Sequence, residues 1–482
     1  MQVVELQGML SASPSKTGEP AVIANEVLER FSQHTPLTVM AQLGMQQALD
    51  AQWIDELFEQ ESQSQYTREL LFSTTVELMS LVALGLRPSV HAAAKSMQEK
   101  LPVTVQALYG KLNHTEPEVV RKLVSGSAER LEPVMRELIK KQAPTVKGHR
   151  LRIVDGNHLP VSEKRLKPLR EYRGAALPGQ SLVVYDPDLQ LAVDTLPCED
   201  AHTQERVLMK TIMNTAQVGD LWMADRNFCT GPILCGLMER GAHFLIREHA
   251  LNPNPRALSR ARRIGRIETG TVYQQCVCFE DEQGVSHTLR RVELRLNEPT
   301  EDGEWIIRLL TNAPAALKAK RLAKLYRRRW RIENLFQRLE SVLHSEVRTL
   351  GHPRAALLAF GVALLAYNVL ALLQTAVRIR HAPTLDEAQM ELSSYYIATE
   401  IKANYAGMLI AVTARAWQRY ESLSAKELAK LLLVLATKVN PRQFRSYPRK
   451  QKAVKKKGYV SKRTASSHVA TARVLAAGRI PK

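Results

Sequence analysis

The 482-residue chain is 45% hydrophobic, enough for about two to four cored domains, which excludes global disorder. It carries 67 basic against 48 acidic side chains for a net charge of +19, and 13 of the basic residues follow Pro441 with no acid among them. That arm points to a polyanion partner rather than a membrane surface, because it has no apolar face. The five cysteines, Cys198, Cys229, Cys235, Cys276 and Cys278, form no CxxC pair; this argues against a zinc site or disulfide framework and for a reducing compartment. The N-terminus has no basic-then-apolar signal pattern, so a cytoplasmic location is expected.

Residues 1–147 read as helices, with apolar residues at helical spacing in 22–31, 54–58 and 70–84. Two short patterns, 89–97 and 103–112, are spaced like a helix-turn-helix, and equally suit simple packing or a dimer surface; the region is expected to bind DNA or dimerise. At His149 the pattern changes. Residues 151–154 form a short apolar strand that ends at Asp155-Gly156. Strands at 181–185 and 189–195 flank the turn Asp186-Pro187-Asp188, and a helix covers 199–216. A fourth strand, 221–224, again ends in a carboxylate, Asp225. A helix at 231–240 and a strand at 243–247 follow.

Residues 250–318 alternate as long strands around 281–284 and read as a β-rich insertion, with Trp305 opening its last strand. Residues 326–340, YRRRWRIENLFQRLE, predict one amphipathic helix. At about 100° per residue Tyr326, Arg329, Glu333 and Glu340 share one stripe, beside an apolar stripe formed by Leu325, Ile332, Leu335, Phe336, Leu339 and Leu343. A solvated helix with an Arg-Glu pair has the same pattern. The apolar run 355–373 is about as long as a membrane span, but Gly361, Tyr367 and Asn368 favour a buried core helix. Residues 386–440 are helical, and 441–482 form a basic tail expected to lack structure without a partner.

Asp155 and Asp225 end the first and fourth strands, which can be neighbours in an α/β sheet, and the helix bearing Glu333 could lie across them. Three carboxylates in one pocket suit Mg²⁺ or Mn²⁺. Two such ions about 4 Å apart would support in-line displacement at phosphorus. Taken singly, each aspartate is equally a cap or turn residue.

Three motifs in order resemble the DDE transposases of the insertion-sequence-four family, bacterial cut-and-paste enzymes with an RNase H-like core. The first is Asp155-Gly156 and the second is Asp225-Arg226-Asn227-Phe228. The third is the family pattern Tyr-x2-Arg-x3-Glu-x6-Lys, matched at Tyr326, Arg329 and Glu333 but not at position 340, where this chain has Glu340. The likeness covers about 149–375. It implies a multidomain α+β protein whose RNase H-like catalytic core, a mixed sheet with flanking helices, is interrupted by the β-rich insertion. The divisions are 1–147 (helical), 148–249 (core), 250–318 (insertion), 319–385 (core with Glu333), 386–440 (helical) and 441–482 (tail).

The resemblance further implies that Asp155, Asp225 and Glu333 are catalytic and hold two Mg²⁺ ions, with Mn²⁺ able to substitute. Tyr326 and Arg329 would contact phosphates, and Trp305 would stack on a flipped base; a buried strand tryptophan is the ordinary alternative for Trp305. The expected activity is binding of terminal inverted repeats, cleavage through a hairpin, and joining to target DNA. A homodimer on double-stranded DNA in the bacterial cytoplasm is expected, with no membrane role. A metal-dependent nuclease without strand transfer, and an inactive DNA-binding derivative, remain open, the latter because Glu340 cannot hold a phosphate as Lys would. Arg338 is a candidate substitute.

Overall fold

The structure, a computed structural model, describes residues 26–65, 69–172, 174–300, 303–447 and 468–478. The chain begins with helices α1 (Glu26–His34), α2 (Pro36–Ala48), α3 (Ala51–Glu61), α4 (Phe72–Ala83), α5 (Val90–Ser96), α6 (Val105–His114) and α7 (Pro117–Ile139). Local chemistry sets several starts. Asp50, Ser89 and Thr104 each accept a backbone N–H in the first turn of α3, α5 and α6, and Pro117 opens α7, where its missing N–H costs no hydrogen bond.

The central region alternates β1 (Arg150–His158), β2 (Ala175–Leu177), β3 (Gln180–Asp186), β4 (Leu191–Cys198), α8 (Glu205–Ile212), β5 (Asp220–Ala224), α9 (Gly231–Glu239) and β6 (His243–Arg247). Then come β7 (Arg256–Ala257), β8 (Arg262–Ile267), β9 (Gly270–Glu280), β10 (Ser286–Leu296) and β11 (Ile306–Thr311). Among the described residues, one ten-stranded mixed sheet runs β4-β3-β1-β5-β6-β11-β10-β9-β7, with β8 also paired to β9. β1, β5 and β6 are parallel neighbours, while β3 and β4 extend the sheet antiparallel. Both faces of β1 are covered: Leu151 and Ile153 enter one hydrophobic cluster and Val154 the other. Burial on both sides is why these strands read as continuous apolar runs.

The β-rich stretch is joined to the core sheet: β11 pairs antiparallel with β6, Leu309 opposite Arg247. One expectation needs correction here. The helix at 326–340 is not continuous: α10 (Ala319–Tyr326) passes through a 3₁₀ turn at Arg327–Arg329 into α11 (Trp330–Ser341). The tighter turn nearly eclipses positions three apart and brings Arg329 against Tyr326.

Helix α12 (Pro353–Arg380) is the axis of the larger cluster and packs on α2, α4, α6, α7 and, further on, α13 (Ala425–Thr437). It is long and apolar enough to cross a membrane, yet every residue of its most apolar window is buried inside the protein. Asn368 explains one polar interruption. Its amide accepts from Ala192 N at 2.8 Å and donates to Ala192 O at 2.9 Å, pairing the free edge of β4. The N-terminal helices, α12 and the C-terminal helices thus share one core.

The tail also departs from expectation among its described residues. Phe444 is buried, β12 (His468–Ala470) pairs parallel with β2, and α14 (Thr471–Ala477) holds Arg473 against Asp200 at 2.9 Å. Residues 448–467 and 479–482 lie outside the described residues.

Candidate active site

The two aspartates are placed by strand pairing. Ile153 stands opposite Met223 in the parallel β1/β5 ladder, so Asp155 and Asp225, each two residues further on, lie side by side; Asp225 follows the end of β5, but Asp155 does not end its strand as expected, because β1 runs on to His158 paired with β3. Asp225 caps the 3₁₀ turn Arg226–Phe228, accepting Asn227 N–H at 2.8 Å, and the fully buried Phe228 anchors that turn. Asp155 Oδ1 accepts from Gly156 N at 3.0 Å.

Glu333 arrives from the first turn of α11, and Arg329 links it to the sheet. One guanidinium nitrogen donates to Asp155 Oδ2 at 3.0 Å and another to Glu333 Oε1 at 2.6 Å, with the arginine side chain only 11% exposed. Arg329 Nε is buried with no acceptor among the described residues. Burial pushes the Asp155 carboxyl up to about 7; Arg329 opposes that rise, while the carboxylates of Asp225 and Glu205 reinforce it. Three acids distant in sequence are therefore gathered beside the paired strands β1 and β5, two of them by Arg329.

Tyr326 is buried rather than on an open stripe. Its hydroxyl donates to Ala224 O at 3.3 Å, and burial pushes its pKa up to about 12. It ties the end of α10 to the strand that delivers Asp225. The other arginines of the run also reach protein partners: Arg327 pairs with Glu268 at 3.4 Å, Arg328 bonds Thr145 Oγ1, and Arg331 donates to Pro187 O at 2.9 Å.

Trp305 is 57% exposed, immediately before β11. Its neighbour Glu304 pairs with Arg226 at 2.8 Å and with Arg247, which holds the tryptophan at the sheet end that carries Asp225. Trp330 is exposed as well, with Arg329 5.7 Å from its ring centre. Glu340 is exposed and lines a cavity of about 260 Å³ with Asn157, Phe336 and Glu346; burial, then the charge of Glu340, raises the Glu346 carboxyl pKa. Arg338 lies within electrostatic reach of Tyr185 and Arg378.

Sequence patterns miss Glu205 and Glu304, and give Asn227 only as a motif member without a role. Glu205 opens α8, and Asn227 Nδ2 donates to Glu205 Oε2 at 2.6 Å. A first-turn acid is ordinary in a helix, so only the folded contacts single it out. Outside this site, Cys235, Asp281 and His287 bring ligand atoms within 4.8 Å of one another, a cluster that cysteine spacing does not reveal. His287 Nε2 lies 2.7 Å from Asp281 Oδ2 there.

The donor set fits a hard divalent cation. Asp155, Asp225, Glu333 and Glu205 offer only carboxylate oxygens. Among the described residues their ion pairs are with Arg329 alone, while the neighbouring Arg226 and Arg247 are taken up by Glu304. Asp155 is buried enough to resist ionisation without more positive charge.

Residues 146–369 match the family model of the transposase DDE domain, a span that includes Asp155, Asp225 and Glu333. No curated protein matches the chain. The match likens this central region, slightly less than half of the chain, to the DDE domain of transposases.

Proposed function

We propose that the protein is the transposase of a cut-and-paste insertion sequence of the insertion-sequence-four family, acting in the bacterial cytoplasm through an RNase H-like core. The observation that carries this is the meeting of Asp155, Asp225 and Glu333 inside the matched domain, with Arg329 bridging two of them. Asp155, Asp225 and Glu333 would hold two Mg²⁺ ions, or Mn²⁺, which supply activation of the attacking oxygen and charge stabilisation at the phosphorus.

Arg329 presents a fork suited to a phosphate, and its hold on Asp155 and Glu333 keeps the carboxylates oriented. Tyr326 fixes the helix against β5; its hydroxyl reaches a phosphate only if the bond to Ala224 O opens. Exposed Trp305 offers a ring face for a base flipped out during hairpin formation. Cleavage of two element ends in concert calls for a homodimer on double-stranded DNA that reads terminal inverted repeats, with the N-terminal helices as the candidate reading surface.

The test uses purified protein, Mg²⁺ and a labelled duplex carrying the inverted repeats that flank its gene, with Asp225→Ala as control. Hairpins and joined products that vanish in the variant are expected. Cleavage without joining would instead identify a nuclease, and binding without cleavage an inactive DNA-binding derivative.

A further inference from the structure

We propose that Glu205 is a fourth carboxylate of the divalent-cation site, held by Asn227 and given room by Gly156. This rests on the reading of Asp155, Asp225 and Glu333 as cation ligands. Glu205 opens α8, the helix that follows β4, and α8 packs against β3, β4 and the turn after Asp225. Its side chain is half-buried and lies between Gly156 and Asn227, residues that closely follow the two aspartates.

Two contacts fix that position. On one side Asn227, two residues beyond Asp225, donates to Glu205 Oε2 at 2.6 Å. On the other, a β-carbon built on Gly156, the residue after Asp155, would run into Glu205 Oε1. Gly156 has no positive φ, so its backbone conformation does not demand glycine; a side chain there would instead have to displace the glutamate from its place.

The chemistry of this placement favours a cation. A helix-start acid that served only the helix dipole would face solvent and gain little from approaching another carboxylate. Glu205 instead lies against Gly156, the residue next to Asp155, and forms no ion pair among the described residues. Bringing a like charge to a buried carboxylate is unfavourable unless a cation lies between them. A hard ion that takes six or more oxygens accommodates four carboxylates readily. Asn227 is then a positioning residue that orients the glutamate.

The experiment is Mn²⁺ titration of the full-length protein without DNA, followed by calorimetry and by loss of the free-ion EPR signal. Wild type, Glu205→Gln, Gly156→Ala and Asp225→Asn are compared, with circular dichroism as the folding check. Glu205→Gln keeps the Asn227 contact and removes the charge; it is expected to weaken Mn²⁺ binding by about tenfold or more. Gly156→Ala keeps the glutamate but displaces its carboxylate, and is expected to weaken binding in the same direction. It decides the matter if Glu205→Gln does not fold.

Isotherms for Glu205→Gln and Gly156→Ala that overlie wild type, while Asp225→Asn loses binding, would overturn the role of Glu205 and leave the three-acid site standing. An Asp225→Asn isotherm identical to wild type would overturn the three-acid reading and this inference with it.

Discussion

Arg329 donates to Asp155 at 3.0 Å across 174 residues of chain, and with the same guanidinium holds Glu333. In the metal-free protein it is the countercharge of the site. Replacing it with glutamine leaves two carboxylates facing each other at the edge of the core, and loss of one partner of such a pair costs about 3 kcal/mol. Urea melts at pH 8 in EDTA should show that loss for Arg329→Gln, and added Mg²⁺ should reduce it. Coincident melts would mean that the bridge contributes nothing to stability.

The raised Asp155 pKa makes metal-free stability depend on pH in an unusual direction. An aspartate titrates near about 3.9 in the unfolded chain, against about 7 here because of burial. Between those values the folded state binds more protons than the unfolded one, so this group's contribution to stability falls as pH rises from 4 to 7. Thermal melts in EDTA should show the decline, and Asp155→Asn should flatten it. An unchanged slope in the variant would assign the pH dependence to another group.

Glu340 occupies the position where the family pattern has lysine, and it shares a cavity with Glu346. Glu340→Lys is expected to add one phosphate contact and relieve the repulsion on Glu346. Anisotropy titrations of a duplex against NaCl should show tighter binding and a log–log slope steeper by about 0.9. No change in slope would place position 340 away from the DNA.

Deleting the whole tail would remove Phe444 and the β12/α14 segment from folded contacts, so the arm is better tested by charge alone. Lys455, Lys456 and Lys457 replaced by glutamine should lower the salt slope by about 2 to 3 if all three neutralise phosphates. A slope equal to wild type would show that these lysines do not meet the backbone.

Asn368→Leu would leave both backbone groups of Ala192 without their partner inside the core. Two buried unsatisfied groups cost about 3 kcal/mol together. A melt that matches wild type would mean that water reaches this strand edge.

The sequence alone determined the elements whose pattern follows from local chemistry. The apolar run before Asp155, the run before Asp225 and the turns at 186–188 and 281–284 fall where the strands and hairpins are, because alternation, β-branching and turn residues act over short range. Gly361, Tyr367 and Asn368 correctly marked the apolar run as interior, since a buried polar side chain needs a protein partner, and Ala192 supplies it. Tertiary structure decided the rest. That β11 continues the core sheet depends on hydrogen bonds between distant strands. The burial of Tyr326 and the break at Arg327–Arg329 follow from what each arginine meets across space, which helical periodicity cannot register. Glu205 has no motif of its own; its place beside Gly156 and Asn227 exists only once α8 has packed against β3, β4 and the turn after Asp225.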